Sequence, residues 1–242
     1  MTPAKEPESD RALATAAASA AAAARPASRQ EQDRELDHRL ANSLQLAADF
    51  LIFEHIRVGD PRARTALIET AERLSAVGQI HRFLATRHQA GGIDLDPFLR
   101  EFARLIGEAT GLDCSVDAEP AIVEAETAQQ LAIAVNELAM NAAKHAYPWG
   151  EGGPLSITCH RRGEQLEISV ADAGEGLAPG FTVDRSNGLG MSILQAIARQ
   201  LRGTLAATND GGARFTLTVP LRSAAEPASR SFAPETHPKR GA

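Results

Sequence analysis

The chain has 242 residues, 43% of them hydrophobic, and a net charge of −6. That is enough apolar material for one sizeable core plus a smaller helical module. The acidic balance excludes a chain-wide attraction to nucleic acid or to an anionic membrane, so neither is expected as a partner.

Residues 1–30 hold Pro, Ser, Ala and charge and almost no bulky apolar side chains, so a disordered Ala-rich tail is expected. The run Ala12–Ala24 is too weakly apolar for an anchor, and Glu6, Glu8 and Asp10 precede it where a signal peptide carries basic charge. No stretch of 18 apolar residues occurs anywhere, and the default location is cytoplasmic.

Residues 31–90 read as two long amphipathic helices. In the first, Leu36, Leu40 and Leu44 step by four along an expected apolar seam, and His38 sits just off it, pointed away. This helix runs to about Arg57, where Gly59 stops it. Asp60 then caps the second helix and Pro61 takes its first position. Leu67, Ala71, Leu74, Val77, Ile80, His81 and Leu84 follow at helical spacing, and Gly91-Gly92 closes the helix. A lone hairpin leaves apolar surface uncovered, so a homodimer forming a four-helix bundle is expected.

Residues 93–222 mix helices and strands. "DPFLREFARLIGEAT" reads as a helix with Asp96 as cap, Pro97 at its first position and Gly111 as stop, and "CSVDA" as a short strand. "AQQLAIAVNELAMNAAKHAY" reads as a long helix that Pro148 helps to end. "PLSITCHRRGEQLEISVADAG" is a hairpin turning at Arg162-Gly163, "GLGMSILQAIARQLRG" a helix and "TLAATNDGGARFTLTVPL" a second hairpin. The fold class is α+β, with helices on one face of a mostly antiparallel sheet. Cys114 and Cys159 have neither C-x-x-C spacing nor a companion histidine set, and read as free buried thiols. Residues 223–242 read as a second disordered tail.

Three stretches carry chemistry. On the long helix Glu137, Asn141, Lys144 and His145 share roughly one exposed face, opposite Leu131, Ala134, Leu138 and Ala142. An anion with an amide oxygen suits Mg2+, and a lysine suits phosphate; a plain solvated face is the competing reading. In "VADAGEGL", Asp172 ends a strand and Gly174 and Gly176 follow, so the backbone can turn sharply beside a carboxylate that could accept from an exocyclic amine. In "SNGLGMSIL", Gly188, Leu189 and Gly190 open a helix whose amides form a ready anion site. The intervening "LAPGFTVDRSN" suits a mobile lid.

The order of these pieces resembles one family. "NELAMNAAKHAYP" is similar to the N box of the histidine-kinase/Hsp90-type (GHKL) ATPases, and "DAGEGL" and "NGLGMSIL" to their two glycine boxes. "GGARFTLTVP" resembles their G-T-x-F strand, with Ala213 in place of the threonine. Upstream, "ELDHRLANSLQ" is similar to the H-R-x-x-N-x-L-Q phospho-acceptor box of the second subfamily of sensor histidine kinases, and "RLSAVGQIHRFL" and "IDLDPFLREFARLI" also match it.

The resemblance implies a Bergerat-type α/β sandwich that binds ATP. It further implies that His38 attacks the γ-phosphate, since a neutral imidazole offers a ring nitrogen as nucleophile. By the same resemblance Asn141 coordinates Mg2+ and Glu137 orients its water shell or moves a proton. Asp172 receives the adenine amine, Gly174, Gly176, Gly188, Leu189 and Gly190 shape the lid and phosphate contacts, and Lys144 and His145 lie near the phosphates. The general base falls to Asp37, Glu35 or neither, because Arg39 follows His38 where another subfamily has an acid. His55, His81 and His88 are assigned to structure. The phosphoryl acceptor is an aspartate on a separate response regulator receiver domain, and Arg39, Asn42 and Ser43 would set partner choice. Two other readings compete: a phosphotransfer shuttle with a degenerate ATP domain, and an anti-sigma-type regulatory kinase.

Overall fold

The computed structural model describes residues 29–85, 92–147, 152–186 and 188–221. The expected tails up to residue 28 and from residue 223, His88, the stop at Gly91 and the helix end at Pro148 lie outside these residues, as does the side chain of Asp37. The chain divides into two units between Ala90 and Gly91.

The first unit is a helical hairpin of α1 (Arg29–His55) and α2 (Pro61–Ala85). Asp60 caps α2 as expected, its Oδ1 accepting from the Arg62 amide at 2.9 Å. The two helices meet through small residues. Ala41 and Ala48 are fully covered on α1, and Ala71, Gly78, Ile80 and Leu84 are buried on α2. A Cβ added at Gly78 would lie 3.1 Å from the Ala41 carbonyl oxygen, so any larger side chain there would push the helices apart. One level along, Ser75 Oγ donates to Gln45 Oε1 across the pair at 3.1 Å.

The hairpin seam differs from the expected one. Leu36 and Leu40 are 65% and 45% exposed, and Leu44 is half-buried. At 100° per residue, seating Ala41 and Ala48 against α2 turns Leu36 to the far side, together with exposed Leu46, Phe50 and Phe53, and leaves Leu40 on the flank. Helix α1 therefore carries two apolar faces, and α2 covers one of them.

The second unit contains β1 (Ile93–Asp94), α3 (Leu95–Thr110), β2 (Asp113–Ala118), β3 (Ile122–Val123), α4 (Ala125–His145), β4 (Pro154–Arg162), β5 (Gln165–Asp172), a 3-10 turn (Val183–Arg185), α5 (Leu189–Gln200), β6 (Thr204–Asn209) and β7 (Ala213–Pro220). Five strands form one sheet in the order β2-β4-β5-β7-β6. All neighbours are antiparallel except β2 and β4, which run parallel in the register Val116↔Ile157. Alternation drives the layering: Leu155, Ile157 and Cys159 of β4, Ile168 and Val170 of β5, and Phe215, Leu217 and Val219 of β7 are buried. Helices α3, α4 and α5 contact this sheet. The fold is α+β.

Two local expectations change. Asp94, not Asp96, caps α3: its side chain accepts from the Asp96 amide, which places Leu95 at the first helical position and Pro97 at the third. Leu95 is fully buried there, so packing favours the earlier start. The antiparallel bridge of β1 with β3 was not anticipated, because each contributes only two residues.

Candidate functional site

Helix α4 runs between α3 and α5 above β4 and β5. Its expected apolar stripe, Leu131, Ala134, Leu138 and Ala142, is buried, and so are Ala128, Ala132, Val135 and Ala139. The polar set divides along the axis. Glu137 is 3% exposed, Asn141 is half-buried, and Lys144 and His145 are exposed. The face is not solvent-exposed along its length, because neighbouring helices flank it and only the last turn emerges. A carboxylate that deep is not a solvated surface charge, which argues against the bland reading of this face.

Asp172 ends β5 and is half-buried. Its Oδ1 accepts from the Gly174 amide and from the Ala213 amide, each at 3.0 Å. Both bonds fall on one oxygen, and Oδ2 makes none among the described residues. The backbone amide of Ala213 thus engages the carboxylate directly, whatever the side chain at that position. At Gly174 an added Cβ would collide with the carbonyl oxygen of Ala146, just past the end of α4, and that same oxygen accepts from the Glu175 amide at 3.1 Å. The close approach ties the strand end to the helix carrying Glu137 and Asn141. Tyr147 braces the junction: its hydroxyl accepts from the Ala173 amide at 3.0 Å and donates to the Pro154 carbonyl. Sequence reading missed Tyr147, and its one available signal is that it is the only tyrosine in the chain.

The loop after Gly176, expected to suit a mobile lid, is contacted at several points. Gly176 takes φ +76°, the left-handed region that favours glycine. Phe181 packs edge-on against Phe215, with ring centroids 6.0 Å apart. Gln195 Nε2 on α5 donates to the Val183 carbonyl at 2.6 Å. Beyond the loop, Gly188 is the N-cap of α5 without a side-chain cap, so among the described residues no side chain caps the first-turn amides. Gly188 and Leu189 are exposed and Gly190 is buried. Asn187 lies outside the described residues.

In this unit Gly174 joins Asp172 to the end of α4 at Ala146, Gly176 meets Asn209 and Gly212 at the β6–β7 tip, Glu137 and Asn141 lie farther back on α4, and Lys144 and His145 sit on its exposed final turn. Among the described residues no group of three or more His, Cys, Asp and Glu could hold a metal ion. One amide oxygen and one nearby carboxylate make too small a donor set for a protein cage. They fit an ion that keeps its waters and arrives on a triphosphate, as Mg2+ does.

In the hairpin unit His38 is exposed on α1. Arg39 beside it is held by Glu35, with Nη2 to Oε1 at 2.6 Å, so the Glu35 carboxylate is already engaged. Ser43 Oγ donates back to the Arg39 carbonyl at 2.9 Å. His81 is buried, in keeping with a structural role.

Comparison with known proteins places these two units. Residues 35–110 match the model described as "Histidine kinase", and residues 126–223 match the "Histidine kinase-, DNA gyrase B-, and HSP90-like ATPase". The chain is 28% identical over 192 residues to the sensor histidine kinase PdtaS of Mycolicibacterium smegmatis, covering 76% of this chain and 38% of the relative. It is 30% identical over 128 residues to the sensor histidine kinase component HK1 of Mycobacterium tuberculosis, covering 46% of this chain and 73% of that protein. Among solved structures, the blue-light-activated histidine kinase EL346 of Erythrobacter litoralis superposes with a TM-score of 0.54 at 25% identity, over 62% of this chain and 54% of that one. The chain thus spans little more than a third of the length of PdtaS.

Proposed function

The chain belongs to the histidine kinases that join a phospho-acceptor helical hairpin to an HSP90-like ATPase domain, and on that premise we propose that it autophosphorylates His38 from ATP and passes the phosphoryl group to an aspartate of a separate response regulator. The observation that carries this reading is the exposure of His38 within the matched hairpin. A lone histidine on an amphipathic helix more often serves structure, as buried His81 does. An exposed ring in that box is accessible to a nucleotide.

The geometry supports the roles that the resemblance implies. Oδ2 of Asp172 accepts from the exocyclic amine of adenine, while Oδ1 is held by the two backbone amides. The uncapped first turn of α5 receives phosphate oxygens. Asn141 would supply an amide oxygen to Mg2+, and buried Glu137 would orient its water. The chemistry such an ion would supply is neutralisation of phosphate charge. A ring nitrogen of His38 forms the new N–P bond as the bond to the β-phosphate oxygen breaks, and ADP leaves. The protein's contribution to such a transfer is mainly positioning. Lys144 and His145, exposed on the last turn of α4, stand as candidate phosphate neighbours. The two free thiols, Cys114 and Cys159, support a reducing cytoplasmic setting. The second apolar face of α1 supports a homodimer.

The test is incubation with γ-labelled ATP and Mg2+. The label should be acid-labile and base-stable, and His38→Ala should remove it while nucleotide binding persists. Labelling that survives His38→Ala points to a serine-directed kinase of the same fold. Absence of nucleotide binding by the unaltered chain points to a phosphotransfer shuttle.

A further inference from the structure

The end of β6 makes a contact that the kinase reading does not use. Asn209, its last residue, grips the backbone of Leu177 with both ends of its carboxamide: Oδ1 accepts from the Leu177 amide at 2.7 Å, and Nδ2 donates to the Leu177 carbonyl at 2.9 Å. One side chain thereby satisfies both polar groups of a single loop residue lying 32 positions earlier in the sequence. The contact shapes its surroundings. A Cβ at Gly176 would lie 2.8 Å from Asn209 Oδ1, so the clamp and a side chain at that position exclude each other. The same hairpin tip also reaches the carboxylate, through the Ala213 amide on Asp172 Oδ1. It is closed by its own Asp210 amide to Gly212 carbonyl bond at 2.9 Å.

Residues 209–213 therefore fix two things at once, the carboxylate assigned to the base and the point where the loop departs. Further along, Gln195 and Phe215 hold the loop at Val183 and Phe181. Without the clamp, the loop origin would have to be ordered when nucleotide arrives, and that entropy would be taken from affinity.

We propose that Asn209 is a positioning residue for nucleotide binding, which presets the origin of the 177–186 loop relative to Asp172. The proposal rests on the nucleotide-binding reading above, and its test separates the two.

In the full chain without nucleotide, Asn209→Ala should speed hydrogen exchange at the Leu177 amide by about tenfold or more. In the same variant KM for ATP should rise about tenfold, the size expected for losing two neutral hydrogen bonds at an exposed site, with kcat nearly unchanged. Asn209→Asp keeps the acceptor for the Leu177 amide and loses the donor to its carbonyl. It should retain Leu177 protection and raise KM less than Asn209→Ala does, and it serves as the second variant if alanine impairs folding. Unchanged Leu177 exchange in Asn209→Ala overturns the clamp. A fall in kcat with KM unchanged overturns the positioning role. If the unaltered chain binds no nucleotide, the kinase reading fails instead, and the exchange result still decides whether the clamp exists.

Discussion

Under the proposed reading Asp172 divides its work between two oxygens, Oδ1 for the backbone amides and Oδ2 for the base, so one substitution separates folding from binding. Asp172→Asn keeps an oxygen for the Gly174 and Ala213 amides and replaces the second with a donor, which opposes an exocyclic amine. The domain should remain folded while ATP affinity falls roughly 10- to 100-fold, the range for losing a hydrogen bond to a charged group. Calorimetric titration reads this, and unchanged affinity would remove Asp172 from base recognition. Cys159 gives a residue-level prediction independent of function. Burial pushes its thiol from 9.0 up to about 12, with Glu119 and Asp96 adding to the shift. The folded chain then keeps a proton that the unfolded chain releases, so this contribution to stability is complete below pH 9.0 and is lost as pH rises toward about 12. Alkylation of Cys159 near neutrality should follow global unfolding, its rate rising with denaturant; a free-thiol rate in native buffer would contradict the burial. At this scale the sequence pointed to His38, Asn141 and Asp172 as candidates because local motifs carry them. It hid Asn209, whose partner lies 32 residues away, and Tyr147, which reaches Ala173 26 residues away.

At the scale of elements, the close contact of Gly78 with Ala41 is open to a packing test. Gly78→Leu would drive a branched side chain into the gap beside the Ala41 carbonyl. Overpacking of this kind costs about 1–3 kcal/mol, read as a lower midpoint in denaturant unfolding of the hairpin's helical signal. An unaltered midpoint would mean that α1 and α2 do not meet at these residues. Helices, hairpins and the Asp60 cap were legible because each is written in local periodicity and punctuation. The α1 seam was misread because leucines outweigh alanines in any hydrophobic count, whereas close packing selects the small residues. The start of α3 was misread because two aspartates compete for the cap, and the burial of Leu95 decides between them. The parallel pairing of β2 with β4 was unreadable, since α4 intervenes between them and nothing local marks the partner strand.

For the whole molecule, the uncovered face of α1 has the largest consequence. Leu36, Leu46, Phe50 and Phe53 are each more than half exposed. A second copy covering them would remove a large apolar patch from water, at about 25 cal/mol per Å² buried. The double variant Leu46→Ser, Phe50→Ser should halve the mass measured by light scattering while keeping its helical signal, and an unchanged mass would place any dimer contact elsewhere. No helix among the described residues is long and apolar enough to cross a membrane. The sequence by itself determined the two-part plan, the α+β class and the family, because helical period, strand alternation and the ordered boxes are all local patterns. Only the tertiary structure decided that Glu137 is buried, that one oxygen of Asp172 takes both backbone amides, which residues contact the loop, and which face of α1 meets α2. Each of those depends on atoms brought together from distant parts of the chain, where packing density and backbone hydrogen bonding, not residue type, make the choice.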